Sequence, residues 1–260
     1  MSGIGLSFHL LALAVLIQTA ELLAIRRSWS DEGIWRWPVL RREFANFPSW
    51  FLFPLDALLS ERGFHGLLWI RLLGSVIALF SPPNAALLAM FFITTLLIAL
   101  RWRGTFNGGS DTMTALVSFG LWEAVYFGDT PWLARGGLAL IAVALTLSYV
   151  VAGAAKLTHS AWREGKALGA FLRIPGYDHP PAWAKRVLED PVRARRASHA
   201  ILAFECAFPL AWLHPAICAA FLSVGVIFHL ANFAVFGLNR FFFAWLAAYP
   251  ILLAWTRGSV

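Results

Sequence analysis

The sequence has little of what most soluble enzymes display. Only 13% of its 260 residues are charged, too few for the surface of a soluble domain. There are two cysteines, Cys206 and Cys218, both in apolar runs and neither in a Cys-x-x-Cys or His/Cys spacing. A disulfide framework and a thiolate metal site are thereby excluded, and the pair reads as buried thiols. No nucleophile elbow and no phosphate-binding glycine loop occurs. No stretch alternates with the period of a strand, and there is no low-complexity run or repeat. The first apolar run lacks a basic leader and a small-residue cleavage site, so no cleavable signal peptide is expected.

What is present is apolar and aromatic. Fifty-nine per cent of the residues are hydrophobic, with 13 Trp and 22 Phe, a composition suited to lipid-facing helices with aromatic ends. The expected class is all-α, a polytopic transmembrane helical bundle of about eight spans. The spans are placed at Ile4–Ile25, Gly66–Phe80, Ala85–Leu100, Asp111–Phe127, Trp132–Ala155, His199–Leu213, Ala216–Phe236 and Phe241–Trp255. Gly66–Phe80, turned into its successor by Ser81-Pro82-Pro83-Asn84, has 15 residues and reaches only ~22 Å, short of a ~30 Å hydrocarbon core unless flanking residues extend it. It carries Arg71, read either as a snorkelling residue or as half of a buried ion pair, with Gln18 and Glu21 near the end of the first span as possible partners.

Two polar regions separate the spans. Arg26–His65 interleaves Arg26, Arg27, Arg36, Arg41, Arg42 and Arg62 with Trp29, Trp35, Trp37 and Trp50, the pattern of a segment lying among lipid headgroups. Within it Pro48–Leu59 is apolar but proline-interrupted and too short to cross. Thr158–Ser198 is basic and proline-rich, and interfacial helices are expected in 26–65 and 158–198. In domain terms, 1–65 is a first span plus an interfacial segment and 66–260 a helical membrane domain, the whole forming one structural unit.

The net charge of +7 does not point to nucleic acid. Eighteen of the 21 Lys and Arg fall in the alternate connections 26–65, 101–110, 156–198 and 237–240, which is the positive-inside bias. Both termini are therefore expected outside and the basic loops in the cytoplasm, in a bacterial-type inner (plasma) membrane. Membrane lipids are the expected surroundings; the oligomeric state is not legible.

Four polar groups sit inside or at the mouths of apolar helices in the second half: Asp111, Lys156, Glu205 and His229. Asp111 suits a helix N-cap. A carboxylate at Glu205 within ILAFECAFPL is costly unless paired, neutralised or open to a water-filled cavity. His229 is followed one turn later by Asn232. Lys156, Glu205 and His229 come from three different helices, as a shared polar cavity requires. Lys156 itself is either a snorkelling anchor at the helix mouth or a base with a proton loosened by partial desolvation.

The run Tyr149-x-x-x-Gly153-x-x-Lys156-Leu157, continued by Trp162-Arg163-x-Gly165-x-Ala167-Leu168, resembles the central signature of the horizontally transferred transmembrane (HTTM) family, which includes the membrane domain of vitamin K-dependent γ-carboxylases. The likeness extends through Asn107-Gly108-Gly109-Ser110-Asp111 and the helices of Glu205 and His229. It implies a carboxylase-like enzyme acting on a reduced, vitamin K-like quinone or another lipid-soluble or peptide substrate, without a metal. Lys156 holds the place of the base that deprotonates the quinol. Glu205 and His229 are candidate catalytic partners, and Asn107, Asp111, Tyr149, Trp162 and Asn232 would line the cavity. The carboxylases carry a His shortly after the Asn of the preceding loop, where this chain has Gly109 or Ser110. The other class in view is a non-catalytic membrane protein that binds a lipid, peptide or partner, in export or self-protection; a transporter ranks third, for want of repeat symmetry.

Overall fold

The computed structural model describes residues 2–102, 108–171, 174 and 180–259, and every regular element among them is helical. The chain divides into two compact units, Met1–Leu138 and Ala139–Val260.

The first unit holds α1 (Gly3–Ala24), α2 (Arg26–Trp29), α3 (Trp37–Leu40) with a 3-10 turn at Arg41–Phe44, α4 (Ser49–Leu59), α5 (Glu61–Leu79), α6 (Ala85–Trp102), α7 (Gly108–Tyr126) and the start of α8 (Pro131–Thr158). Local chemistry sets the starts. The Ser2 hydroxyl accepts from Gly5 N at 3.1 Å, Ser60 from Gly63 N at 3.1 Å, and the Asn84 side chain from Ala86 N and Leu87 N, each satisfying amides that a helix start leaves open. The Ser60 cap explains why α5 begins at Glu61 and not near Gly66. Its 19 residues reach ~28 Å, close to a full crossing.

Arg71 does not snorkel. It is 1% exposed and donates to Thr19 Oγ1 (3.1 Å), Thr94 Oγ1 (2.6 Å), Thr95 Oγ1 (2.9 Å), Phe91 O (3.1 Å) and Gln18 Oε1 (3.3 Å). Gln18 in turn donates to Thr114 Oγ1 at 2.9 Å. One guanidinium thus ties α1, α5 and α6, and Gln18 carries the network to α7. Planar, five-donor geometry suits arginine to this work where lysine would leave acceptors unmet.

The 26–59 segment folds back on the unit by similar means. Arg101, buried at the end of α6, donates to the carbonyls of Leu59 and Trp29, the last residues of α4 and α2, and stacks over the Phe64 ring. Arg41 Nε bonds both Asp56 oxygens at 2.7 and 2.9 Å, and Trp37 Nε1 donates to Asp56 at 2.8 Å. The Arg41 hydrogen bond chiefly, with help from Trp37, holds the Asp56 carboxyl below the usual carboxylate range. With 11 residues, α4 extends ~16 Å and cannot cross alone.

The second unit holds the rest of α8, then α9 (Ser160–Arg163), α10 (Ala167–Phe171), α11 (Ala182–Leu188), α12 (Pro191–Ala207) with a 3-10 turn at Phe208–Trp212, α13 (Pro215–Phe236) and α14 (Asn239–Thr256). Asp190 caps α12 through Val192 N and Arg193 N, and left-handed Gly237 ends α13. The α14 helix packs on α13 and buries Ala244, Ala247, Ala248, Tyr249, Ile251 and Leu252.

Among the described residues five helices are long and apolar enough to cross a bilayer, α1, α5, α6, α8 and α13, and in composition and helix length the chain is an integral membrane protein. Three of the eight expected spans are not among the five. The α7 helix carries Asp111 and Glu123. The α12 helix spends its first half on Arg193, Arg195 and Arg196 and gives way to a 3-10 turn. In α14, Asn239, Arg240 and the aromatic residues dilute the apolar run.

Candidate functional site

The site is built on the α8 face that carries Tyr149, Gly153 and Lys156, at i, i+4 and i+7. A Cβ at Gly153 would lie 2.9 Å from Cys206 Sγ, 3.0 Å from Glu205 Cβ and 3.1 Å from Cys206 N. Glycine therefore lets α8 and α12 approach within a side chain's thickness. That approach sets Glu205 opposite Lys156, one turn along. Lys156 Nζ donates to Oε1 and Oε2 of Glu205, each at 2.7 Å. The Glu205 side chain is 3% exposed and that of Lys156 21%, so the pair is buried on its acidic side and open on its basic side. The ammonium also lies 5.3 Å from the centre of the Trp162 ring, a cation–π distance.

The residues that follow support this placement. Arg163 Nη1 donates to Leu157 O (2.7 Å) and Thr158 O (3.1 Å), closing carbonyls at the end of α8, as a cation at a helix C-terminus does. Gly165 has φ +76°, and a Cβ there would meet Arg195 Cα at 2.4 Å; both conformation and space demand glycine. This contact sets the α9–α10 turn on α12. His199 Nε2 meets Arg163 O at 2.8 Å, and Ala167 and Leu168 are buried.

A second polar chain crosses the unit. Tyr149 OH lies 2.9 Å from His229 Nε2 and 2.5 Å from Tyr249 OH. A Cβ at Gly225, one turn before His229, would fall 2.4 Å from Tyr249 OH and 3.2 Å from Tyr149 OH, so its absence makes room for the two hydroxyls. His229 Nδ1 has no hydrogen-bond partner among the described residues. Both phenol hydrogens find acceptors there only if Tyr249 donates to Tyr149 and Tyr149 to His229 Nε2. That arrangement puts the imidazole proton on Nδ1.

The two polar groups share a cavity of about 280 Å³. Lys156, Glu205, His229, Tyr149, Asn232 and Ser148 supply its polar wall; Trp162, Phe171, Phe228, Phe241 and Trp245 supply much of the rest. Trp245 Nε1 donates to Ser148 Oγ at 3.0 Å, and its ring centre is 5.2 Å from that of His229. An apolar, aromatic chamber with a few convergent polar groups is the general form of a small-molecule site. Its size, near the lower bound of about 300 Å³ for such sites, matches a one- or two-ring compound.

Of the residues singled out in sequence, Lys156, Glu205, His229, Tyr149, Trp162 and Asn232 line this one cavity. Asp111 does not: it lies in the first unit, 8% exposed, inside the first turn of α7 and not at its N-cap, because the helix already begins at Gly108. There a carboxylate favours the positive end of the helix dipole. Asn107 lies outside the described residues. Tyr249, Trp245, Ser148 and Gly225 were not anticipated. Tyr249 had one available signal, a lone tyrosine within the apolar run Phe241–Trp255 of a chain with 4 tyrosines.

The chain matches no model of a known protein family, no curated protein and no solved structure. Among the described residues no group of three or more His, Cys, Asp or Glu is placed to hold a metal ion. The site's own side chains offer an ammonium–carboxylate pair, a histidine on a tyrosine chain, and aromatic walls.

Proposed function

We propose that this is an HTTM-like membrane enzyme that binds a ring-bearing, lipid-soluble compound of the quinol class in the α8–α12–α13–α14 cavity and removes a proton from its hydroxyl. The observation that carries the reading is the Lys156–Glu205 pair facing His229 inside one aromatic chamber. Flat aromatic walls hold a ring by stacking and exclude water. A hydroxyl brought to the pair meets an acceptor oxygen and a cation together, the two things needed to remove its proton and hold the resulting anion. Carboxylase-like chemistry on a reduced quinone is the reaction class in view, with the ionised ring as the species that goes on to react.

The finer topology belongs to the same proposal: eight spans, with α7, α12 plus its 3-10 turn, and α14 completing the five long helices. The termini face outward, the 26–65 and 158–198 segments lie along the cytoplasmic face, and the membrane is the bacterial inner one. The two-pronged 2.7 Å pairing of Lys156 with Glu205 favours a second reading, in which the pair is a structural bridge and the cavity only binds. Titrating the protein in lipid nanodiscs with a short-chain naphthoquinone and its quinol tests both. Saturable quenching of Trp162 and Trp245 that Trp245→Phe reduces is the expected result. Turnover lost in Lys156→Ala with binding retained makes it an enzyme; binding without turnover makes it a carrier. No saturable binding ends both readings.

A further inference from the structure

An ammonium–carboxylate pair beside a substrate hydroxyl can work in two ways. If the lysine is the base, it must first part with its own proton. If the carboxylate is the base, the lysine stays charged throughout. The surroundings of Lys156 distinguish these. Both Glu205 oxygens accept from Nζ at 2.7 Å, committing two of the ammonium's three N–H bonds to a carboxylate. The Trp162 face, 5.3 Å away, attracts a cation and offers a neutral amine far less. Each Glu205 oxygen, meanwhile, keeps a second lone pair.

We propose that Glu205 is the proton acceptor of the cavity, and that Lys156 remains protonated as the fixed counter-ion of the anion formed. This assignment rests on the acid–base reading of the cavity given above. In the step, the O–H bond of a phenol- or quinol-class ligand breaks and its proton forms a new O–H bond on Glu205. The electron pair stays on the ligand oxygen, which now faces the Lys156 ammonium. The trio of ligand, carboxylate and ammonium has the same net charge before and after. Negative charge moves from one oxygen to another beside the same cation, which in a low-dielectric site is far less costly than creating a new charge pair. The assignment differs from the expectation that Lys156 itself is the base, and the two make opposite predictions for Lys156→Arg.

The test uses the full chain in nanodiscs with 4-nitro-1-naphthol, a two-ring phenol whose anion absorbs visible light, at a pH where the free probe is protonated. Absorbance reports the anion, Trp162 and Trp245 quenching reports binding, and calorimetry in buffers of different ionisation enthalpy counts protons released. Wild type and Lys156→Arg are expected to convert bound probe to anion and release no proton, because Glu205 retains it. Glu205→Gln is expected to leave bound probe neutral, or to release one proton for each anion formed. A neutral bound probe in Lys156→Arg, or anion without proton release in Glu205→Gln, makes the lysine the acceptor and overturns the assignment. The two variants are independent arms, so one lost to misfolding leaves the other to decide. A probe that fails to bind the wild type refutes the cavity reading itself, and the assignment with it.

Discussion

Replacing Lys156 with methionine tests whether the pair is as buried as its geometry implies. Methionine keeps the length of the side chain and removes the charge, leaving the Glu205 carboxylate, 3% exposed, without its cation. Breaking a buried ion pair from one side costs about 3–5 kcal/mol. The 21% exposure of Lys156 lets water reach the pair, so the lower end, about 3 kcal/mol, is expected. The reverse truncation, Glu205→Gln, leaves the ammonium on the more open side, where it can hydrate and still rest on Trp162; about 1.5–2 kcal/mol is expected, the low end for a hydrogen bond to a charged group. In the double variant no uncompensated carboxylate remains, and the cost falls below that of Lys156→Met alone. The cycle should therefore show a coupling of about 2 kcal/mol. Unfolding in mixed micelles with increasing anionic detergent, followed by tryptophan fluorescence, measures each arm. Single costs that simply add in the double variant, or a Lys156→Met cost under about 1 kcal/mol, would place both groups in water and refute the reasoning.

Three further outcomes follow from other parts of the molecule. Gly153→Ala and Gly66→Ala should move stability in opposite directions: a methyl at Gly153 meets Cys206 backbone and Glu205, whereas one at Gly66 meets nothing within 4 Å; about 1–2 kcal/mol lost and about 0.5–1 kcal/mol gained are expected, and a gain at Gly153 would contradict the close helix approach. The Asp56 carboxyl is held down by Arg41, so its contribution is present above about pH 4, the unfolded carboxyl value, and disappears as pH falls through the lower folded value. The thermal-midpoint gap between wild type and Asp56→Asn should accordingly be constant near neutrality and close on acidification, while a gap that widens in acid reverses the sign. For orientation, single cysteines at Ser30 and at the exposed Val192 should resist a membrane-impermeant thiol reagent in intact cells and react after lysis; labelling of both in intact cells inverts the topology.

Some of this architecture was legible because it depends on local period and composition. Long apolar runs gave α1, α6, α8 and α13 within a few residues, and the proline pair after Ser81 gave the α5–α6 turn. The site was legible where one helix presents it: Tyr149, Gly153 and Lys156 fall on one face by spacing alone. Burial was harder. Arg71 looks the same in sequence whether it snorkels or is enclosed, because its acceptors Thr94 and Thr95 are a turn of another helix and Phe91 contributes only a carbonyl. The α7, α12 and α14 helices show the same gap. Apolarity alone does not say whether a helix such as α14 is buried by protein or by lipid, and its buried alanines and Tyr249 are fitted to neighbours that only the fold supplies.

The glycines explain why the site's geometry stayed out of reach while its membership did not. Gly153, Gly165 and Gly225 each stand where a β-carbon would collide with a neighbouring element: with Cys206 and Glu205, with Arg195, and with the Tyr249 hydroxyl. In sequence nothing at these positions shows what a β-carbon would meet; for Gly153 and Gly225, inside helices, the local reading is only a weak point costing up to about 1 kcal/mol against alanine. In the fold they fix distances. The first brings a carboxylate against an ammonium, the second sets the α9–α10 turn on α12, and the third lets two phenols meet over a histidine. A β-carbon at Gly153 would force α12 away from α8, and one at Gly225 would displace the Tyr249 hydroxyl, so the polar groups owe their spacing to the missing side chains. For the quinol-class ligand proposed above, fit should therefore follow from ring size and hydroxyl position, because closely packed groups have little room to reorganise.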